Sequence, residues 1–204
     1  MSRLRDRRAR HDRFYRKAKS ERYAARSVFK LEEIDQRFQL LKSGRRVLDL
    51  GCRPGSWLQY AAAKVGEKGH VVGLDRELLE IAVPPNATSL EGDVLEVEPA
   101  TLRAALPSGG GSCFHLVMSD MAPDTTGHAF TDQTRSAELV QCALDLALTV
   151  SCPKSSFVAK IFMGEGFQEV VTRMRKSFKR VKTVRPEATR SSSREVYLVG
   201  LELK

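Results

Sequence analysis

The chain has 204 residues, 42% of them hydrophobic, and a mean hydropathy of -0.31; it can bury one core, and no apolar run reaches bilayer length or follows a signal-peptide pattern. Its four cysteines, Cys52, Cys113, Cys142 and Cys152, form no CxxC pair, so neither a metal site nor a disulfide framework is expected, and a reducing, cytoplasmic setting is. The net charge of +9 falls entirely within residues 1–30, where twelve Arg and Lys face Asp6, Asp12 and Glu21, leaving the other 174 residues balanced.

Residues 1–26 read as a basic arm ahead of one domain spanning 27–204. Phe14, Tyr15 and Tyr23 stand between the arm's charges, available to stack on bases or to pack down onto the domain. Such a segment suits a nucleic-acid backbone. A solvated helix is the plainer reading; a mitochondrial transit peptide fits less well, given the acids and the lack of a Ser-rich stretch. Leu31, Ile34, Phe38 and Leu41 then recur at helical spacing, with Ser43-Gly44 ending that helix. RVLDL at 46–50 predicts a buried strand before a glycine turn, Ser56–Lys64 a helix, and HVVGLD at 70–75 a second strand. Thr88–Leu90 reads as a weak third strand and Pro99–Leu106 as a short helix. Past the loose Pro107–Ser112 come a strand at Phe114–Ser119, a long helix over Asp132–Val150 and a strand at Ser156–Phe162. Phe167, Val170, Val171, Met174 and Phe178 mark an amphipathic helix, and strands at Val181–Val184 and Val196–Leu203 close the chain. A second basic cluster, seven cations and no acid, runs from Arg173 to Arg185.

This alternation predicts an α/β fold: a mostly parallel sheet of seven strands with helices on both faces. The ligand site of such a sheet lies at the carboxyl ends of its strands, where strand order reverses. After the first strand comes Asp49-Leu-Gly-Cys-Arg-Pro-Gly-Ser-Trp57, a glycine turn that lets backbone amides approach an anionic group. A dinucleotide fingerprint needs glycine at 53 and 56, where Arg53 and Ser56 stand, so a nicotinamide cofactor is disfavoured. Asp75 ends the second strand, placed for ribose hydroxyls, and Gly92-Asp93 follows the third. Each alone is an ordinary turn residue. At consecutive strand ends they point to an adenosine-type cofactor.

DLGCRPGSW resembles the DLGAAPGGW loop of the FtsJ/RrmJ family of S-adenosylmethionine-dependent RNA ribose 2′-O-methyltransferases. RSVFKLEEID at 26–35, SDMAPDTTG at 119–127, FVAKIF at 157–162 and SSSREVYLV at 191–199 extend the likeness from about Tyr23 to the C-terminus. The resemblance implies a Rossmann-like methyltransferase fold and S-adenosylmethionine as cofactor, held around Gly51, Gly55, Ser56, Trp57, Asp75, Asp93 and Asp120. It implies a catalytic tetrad of Lys30, Asp120, Lys160 and Glu195, with no metal. By the same likeness the target is a uridine of large-subunit ribosomal RNA, met during ribosome assembly; a monomer is expected, since no unexplained apolar stripe demands a partner. Candidate RNA contacts are Arg7, Arg8, Arg13, Arg16, Lys17, Arg22 and Arg26 of the arm, with Arg190 and Arg194; the 173–185 cluster adds phosphate-binding charge.

The residues suit that chemistry on their own account. Lysine is almost never fully buried unless paired, and Lys160 interrupts a strand expected to be buried. A ribose hydroxyl is weakly acidic and needs a proton acceptor or a field that stabilises its alkoxide. Lys160 fits either role; the family's role for it is proton acceptor. Cys52-Arg53 departs from the family's pair of small residues, and a cation there threatens binding of a sulfonium. That departure is the one support for a non-catalytic RNA-binding assembly factor.

Overall fold

The computed structural model describes residues 13–109, 111–190 and 193–204. Its elements, in chain order, are α1 (Arg13–Ser20), α2 (Val28–Phe38), β1 (Arg46–Leu50), α3 (Ser56–Val65), β2 (His70–Asp75), β3 (Ala87–Glu91) and α4 (Pro99–Ala104). Then follow β4 (Phe114–Ser119), α5 (Ala129–Val150), β5 (Ser151–Phe162), α6 (Phe167–Ser177), β6 (Phe178–Val184) and β7 (Glu195–Leu203). Among the described residues the strands form one sheet in the order β3-β2-β1-β4-β5-β7-β6. The β1–β5 pairs are parallel, and β7 runs antiparallel to both β5 and β6.

Successive strand residues point to opposite faces, and the sequence fills both with branched apolar side chains. On one face Val47, Val71, Leu116 and Val158 pack with Leu31 and Ile34 of α2 and Leu58 and Val65 of α3. On the other, Leu48, Val72, Val117 and Ile161 meet Leu102 of α4, Val140 and Leu144 of α5, and Val170 and Met174 of α6. Each such side chain, fully buried, contributes about 1.5–3 kcal/mol. The arm's described part joins the first of these layers. Ala18 is buried, Phe14 lies 5.7 Å from the Phe29 ring, and Tyr23 meets that ring edge-on at 6.4 Å. Phe14 and Tyr23 therefore pack down onto the domain, while Tyr15 is exposed.

The sheet pairs two cysteines that the spacing kept apart. Cys113 and Cys152, 39 residues apart, form a disulfide with Cα atoms 5.0 Å from each other. Parallel pairing of β4 with β5 sets Phe114 opposite Ser151 and so brings their neighbours together. The expectation of unpaired cysteines is corrected on this point: the pairing depends on strand register, which CxxC spacing does not encode. Cys52 and Cys142 are free.

The order of strands reverses between β1 and β4, so the loops after β1, β2, β3 and β4 gather at one end of the sheet. No helix among the described residues is long and apolar enough to cross a membrane, and no group of three or more His, Cys, Asp or Glu there is arranged to hold a metal ion.

Candidate active site

At that end a cavity of about 480 Å³ is lined by Gly51, Asp75, Asp93 and Asp120 from four strand ends, with Met121, Arg135, Glu138 and Cys142 among its other walls. Gly51 turns with φ +71°, a conformation that favours glycine, and a Cβ there would lie 2.4 Å from Met121 Cγ. Asp75 is fixed by the backbone it caps: its Oδ2 accepts from Arg53 N at 2.9 Å and its Oδ1 from Glu77 N at 3.3 Å. Asp93 Oδ1 likewise accepts from Leu95 N at 3.0 Å. Gly55, Ser56 and Trp57 do not line the cavity. Trp57 Nε1 donates to Ser27 O at 2.9 Å and the Ser56 and Ser27 hydroxyls lie 3.0 Å apart, so both side chains tie the loop to the start of α2.

Arg53, the residue that threatened this site, also lines the cavity, yet its guanidinium is ion-paired with Glu77 and Glu80 of the segment after β2. Its charge is neutralised locally. Asp49, inside β1, is a residue the sequence reading quoted without assigning. It is fully buried, and neither carboxyl oxygen has a hydrogen-bond partner. Burial, reinforced by Asp120 and Asp75, pushes its pKa well above the ordinary carboxylate value. An acid inside the apolar run RVLDL was the available signal. The acid-rich cavity fits a ligand that carries positive charge and ribose hydroxyls.

Beside the cavity the structure brings Lys30, Asp120, Lys160 and Glu195 together. Lys160, 9% exposed, alternates onto the α2 face of β5 and places Nζ 3.0 Å from Asp120 Oδ1, with a further hydrogen bond to Asp120 O. Lys30 Nζ, from α2, is ion-paired with Glu195 Oε1. Tyr197 completes the group, and the sequence reading missed it. Opposite Lys160 in the β5–β7 ladder, it donates its hydroxyl to Asp120 Oδ1 at 2.7 Å. Its ring lies 5.7 Å from Trp57 and beneath Lys30 Nζ, 5.8 Å from the ring centre. Burial and the neighbouring Asp120 and Glu195 hold its pKa well above that of a free phenol, so it remains a donor. The i, i+2 spacing of Glu195 and Tyr197 in a strand was the signal, since it puts both on one face. Asp120 is the hinge of the arrangement: it lines the cavity and also carries Lys160 and Tyr197.

The basic residues divide. Arg7 and Arg8 lie outside the described residues. Arg13 pairs with Glu187 at 3.5 Å, and Lys17 with Glu32 at 3.4 Å and Glu21 at 3.7 Å, which docks α1 against α2 and the segment before β7. Arg16, Arg22, Arg190 and Arg194 are exposed. Arg26 donates to Ala188 O at 2.6 Å; burial and then the Arg190 cation lower its pKa, while Glu195 raises it, which places these charges beside the tetrad. In the second cluster Arg173 is paired with Asp145, and Lys179 and Arg180 share Glu202.

A cavity at the switch point, acidic strand ends and a Lys-Asp-Lys-Glu cluster on a seven-stranded sheet define a Rossmann-like methyltransferase. The family model described as FtsJ-like methyltransferase matches residues 23–203, and the chain belongs to that family. It is 45% identical to the ribosomal RNA large subunit methyltransferase E of Desulfosudis oleivorans, over 95% of this chain and 91% of that protein. With its namesake from Oleidesulfovibrio alaskensis it shares 48% identity over 95% and 92%. A solved structure described as a ribosomal RNA methyltransferase of Plasmodium falciparum has the same fold, with a TM-score of 0.78 at 24% identity over 89% of this chain and 98% of that one.

Proposed function

We propose that this chain transfers a methyl group from S-adenosylmethionine to the ribose 2′-oxygen of a uridine in large-subunit ribosomal RNA. The observation that carries the reading is Asp120, which belongs at once to the cavity wall and to the lysine cluster. A donor in the cavity and a hydroxyl at Lys160 then meet at one residue. When bound, the donor supplies an electrophilic methyl on a sulfonium sulfur. Asp75 and Asp93 take its ribose and base ends, and the carboxylates of Asp75 and Asp120 favour its positive charge.

Lys160 receives the hydroxyl proton. A neutral amine has two N–H donors and one lone pair; the donors are directed at Asp120 O and Asp120 Oδ1, which leaves the lone pair for the 2′-hydroxyl. Tyr197 holds Asp120 in place through the same Oδ1, and Lys30, paired with Glu195, stands over the tyrosine ring. Positioning of this kind is worth on the order of 7–11 kcal/mol in favourable intramolecular cases. Arg26, Arg190 and Arg194 beside the tetrad, with the α1 cations, take RNA phosphates by charge and shape. The exposed cations of the 173–185 cluster extend that surface. The protein acts as a monomer in the cytoplasm.

The reading is tested by incubating purified protein with methyl-labelled donor and large ribosomal subunits that lack the modification, then digesting the RNA to nucleosides. Label in 2′-O-methyluridine supports it. Label on a base, or RNA binding without label, sinks it, the latter in favour of the assembly-factor reading.

A further inference from the structure

Phe130 is the most exposed large apolar side chain among the described residues, at 67%, and Met163 is 49% exposed. They flank one contact between α5 and the β5–α6 loop. Gln133 of α5 accepts from Glu165 N at 3.2 Å, and its amide packs so closely on Gly164 that a Cβ there would lie 2.2 Å from it. One turn further along, Ala137 meets Gly166 in the same way, at 2.6 Å. Phe130, Gln133 and Ala137 share a helix face at i, i+3 and i+7. Phe130 thus extends past the β5–α6 loop on the side where Met163 precedes Gly164. The loop before α5 is held by Asp132, whose carboxylate accepts from Thr126 N at 2.8 Å, Thr126 Oγ1 at 2.9 Å and Gly127 N at 3.2 Å.

The position is close to the chemistry. Met163 is three residues beyond Lys160, roughly 10 Å along an extended chain, and strand alternation turns it with Arg194 to the α5 face of the sheet's carboxyl end, next to the Lys160 face. Met163 N donates to Arg194 O at 3.0 Å, so an exposed cation stands beside the apolar pair and next to Glu195. Two side chains are too small an apolar patch for a stable protein contact, which needs several hundred Å². An aromatic and a thioether beside an arginine suit an unstacked base and its phosphate.

Resting on the function proposed above, we infer that Phe130 and Met163 form a platform on which an unpaired RNA base adjacent to the methylated nucleotide stacks, with Arg194 holding the adjoining phosphate. The platform presents the neighbour so that the target ribose faces Lys160.

The test compares full-length wild type with the Phe130→Ala/Met163→Ala variant and with Phe130→Trp, on undermethylated large subunits and on the same RNA freed of protein. The double alanine variant is expected to raise KM for subunits and weaken binding to free RNA by about fivefold or more, with donor affinity and saturated kcat within about twofold. Phe130→Trp is expected to keep wild-type KM and to lose fluorescence when free RNA is added, against the buried Trp57 as constant background. Wild-type KM in the double variant, or a defect on subunits but not on free RNA, overturns the platform; the second result assigns the surface to a ribosomal protein. If wild type itself methylates no ribose, the functional reading falls first. Methylation by wild type with unaffected variants removes the platform alone.

Discussion

Lys160 and Tyr197 face each other across the β5–β7 ladder, and both reach the same oxygen, Asp120 Oδ1, at 3.0 and 2.7 Å. An amine and a phenol hydroxyl thus share one carboxylate oxygen. Antiparallel pairing makes this possible: opposed residues share a face and lie within side-chain reach. The parallel strands supply the cavity, and the antiparallel pair supplies the lysine and its tyrosine.

Tyr197→Phe removes the hydroxyl but keeps the ring against Trp57. Hydrogen bonds to charged groups are worth about 1.5–3 kcal/mol, so the methyl-transfer rate is expected to fall roughly 10-fold or more. Thermal stability should fall by no more than the worth of that bond. Single-turnover methylation and a melting curve check both; an unchanged rate removes Tyr197 from the positioning of Asp120.

The Arg53 pairs predict an unusual rescue. Glu77→Gln/Glu80→Gln frees the guanidinium beside the cavity and should weaken methyl-donor binding, measured by calorimetry. Adding Arg53→Ala to that background should restore it. If the double variant binds normally, the two glutamates do not shield the site.

Asp49 sets a pH dependence opposite to that of a paired carboxylate. Its folded pKa is raised, so the folded chain holds a proton that the unfolded chain releases. The destabilisation is absent below the ordinary carboxylate pKa near 3.8, grows as pH rises through and above that value, and levels off beyond the raised folded pKa. Asp49→Asn should therefore gain stability over wild type as pH rises from about 4. Melting temperatures across pH test this; a constant difference with pH would contradict it.

The Lys30–Glu195 pair is mostly shielded, each side chain 13% exposed. Removing one partner strands the other charge, at a cost of about 3 kcal/mol for buried pairs. Lys30→Met and Glu195→Gln should each destabilise the fold, and together by clearly less than the sum. Urea unfolding of the four proteins measures the coupling; additive losses would make the pair a surface feature.

Much of the fold was legible because its strands are short apolar runs between turn signals. β1, β2 and β4 begin and end where RVLDL, HVVGLD and FHLVMS predict. Boundaries fixed by tertiary contacts were not legible. The helix expected to run through Leu41 stops at Phe38, where Gln39 turns left-handed at φ 52° and Asp35 Oδ1 accepts from Leu41 N at 2.8 Å; Leu40 and Leu41 are still buried. α5 starts at Ala129 rather than Asp132 because Asp132 reaches back to Thr126 and Gly127. β5 starts five residues early, at Ser151, through Lys154 with φ 61°. In the site, the tetrad was visible through separated motifs. Tyr197 was not, since its role depends on facing Lys160. The pairing of Arg53 was hidden likewise, in a segment with no regular structure.

The central claim is that Lys160 takes the ribose proton. Methyl transfer by Lys160→Ala should be measured under single turnover, on undermethylated large subunits, with donor affinity determined in parallel. The chemical step is expected to slow by roughly 10²–10⁴-fold with donor binding little changed. A variant that methylates the 2′-oxygen at the wild-type rate would contradict it.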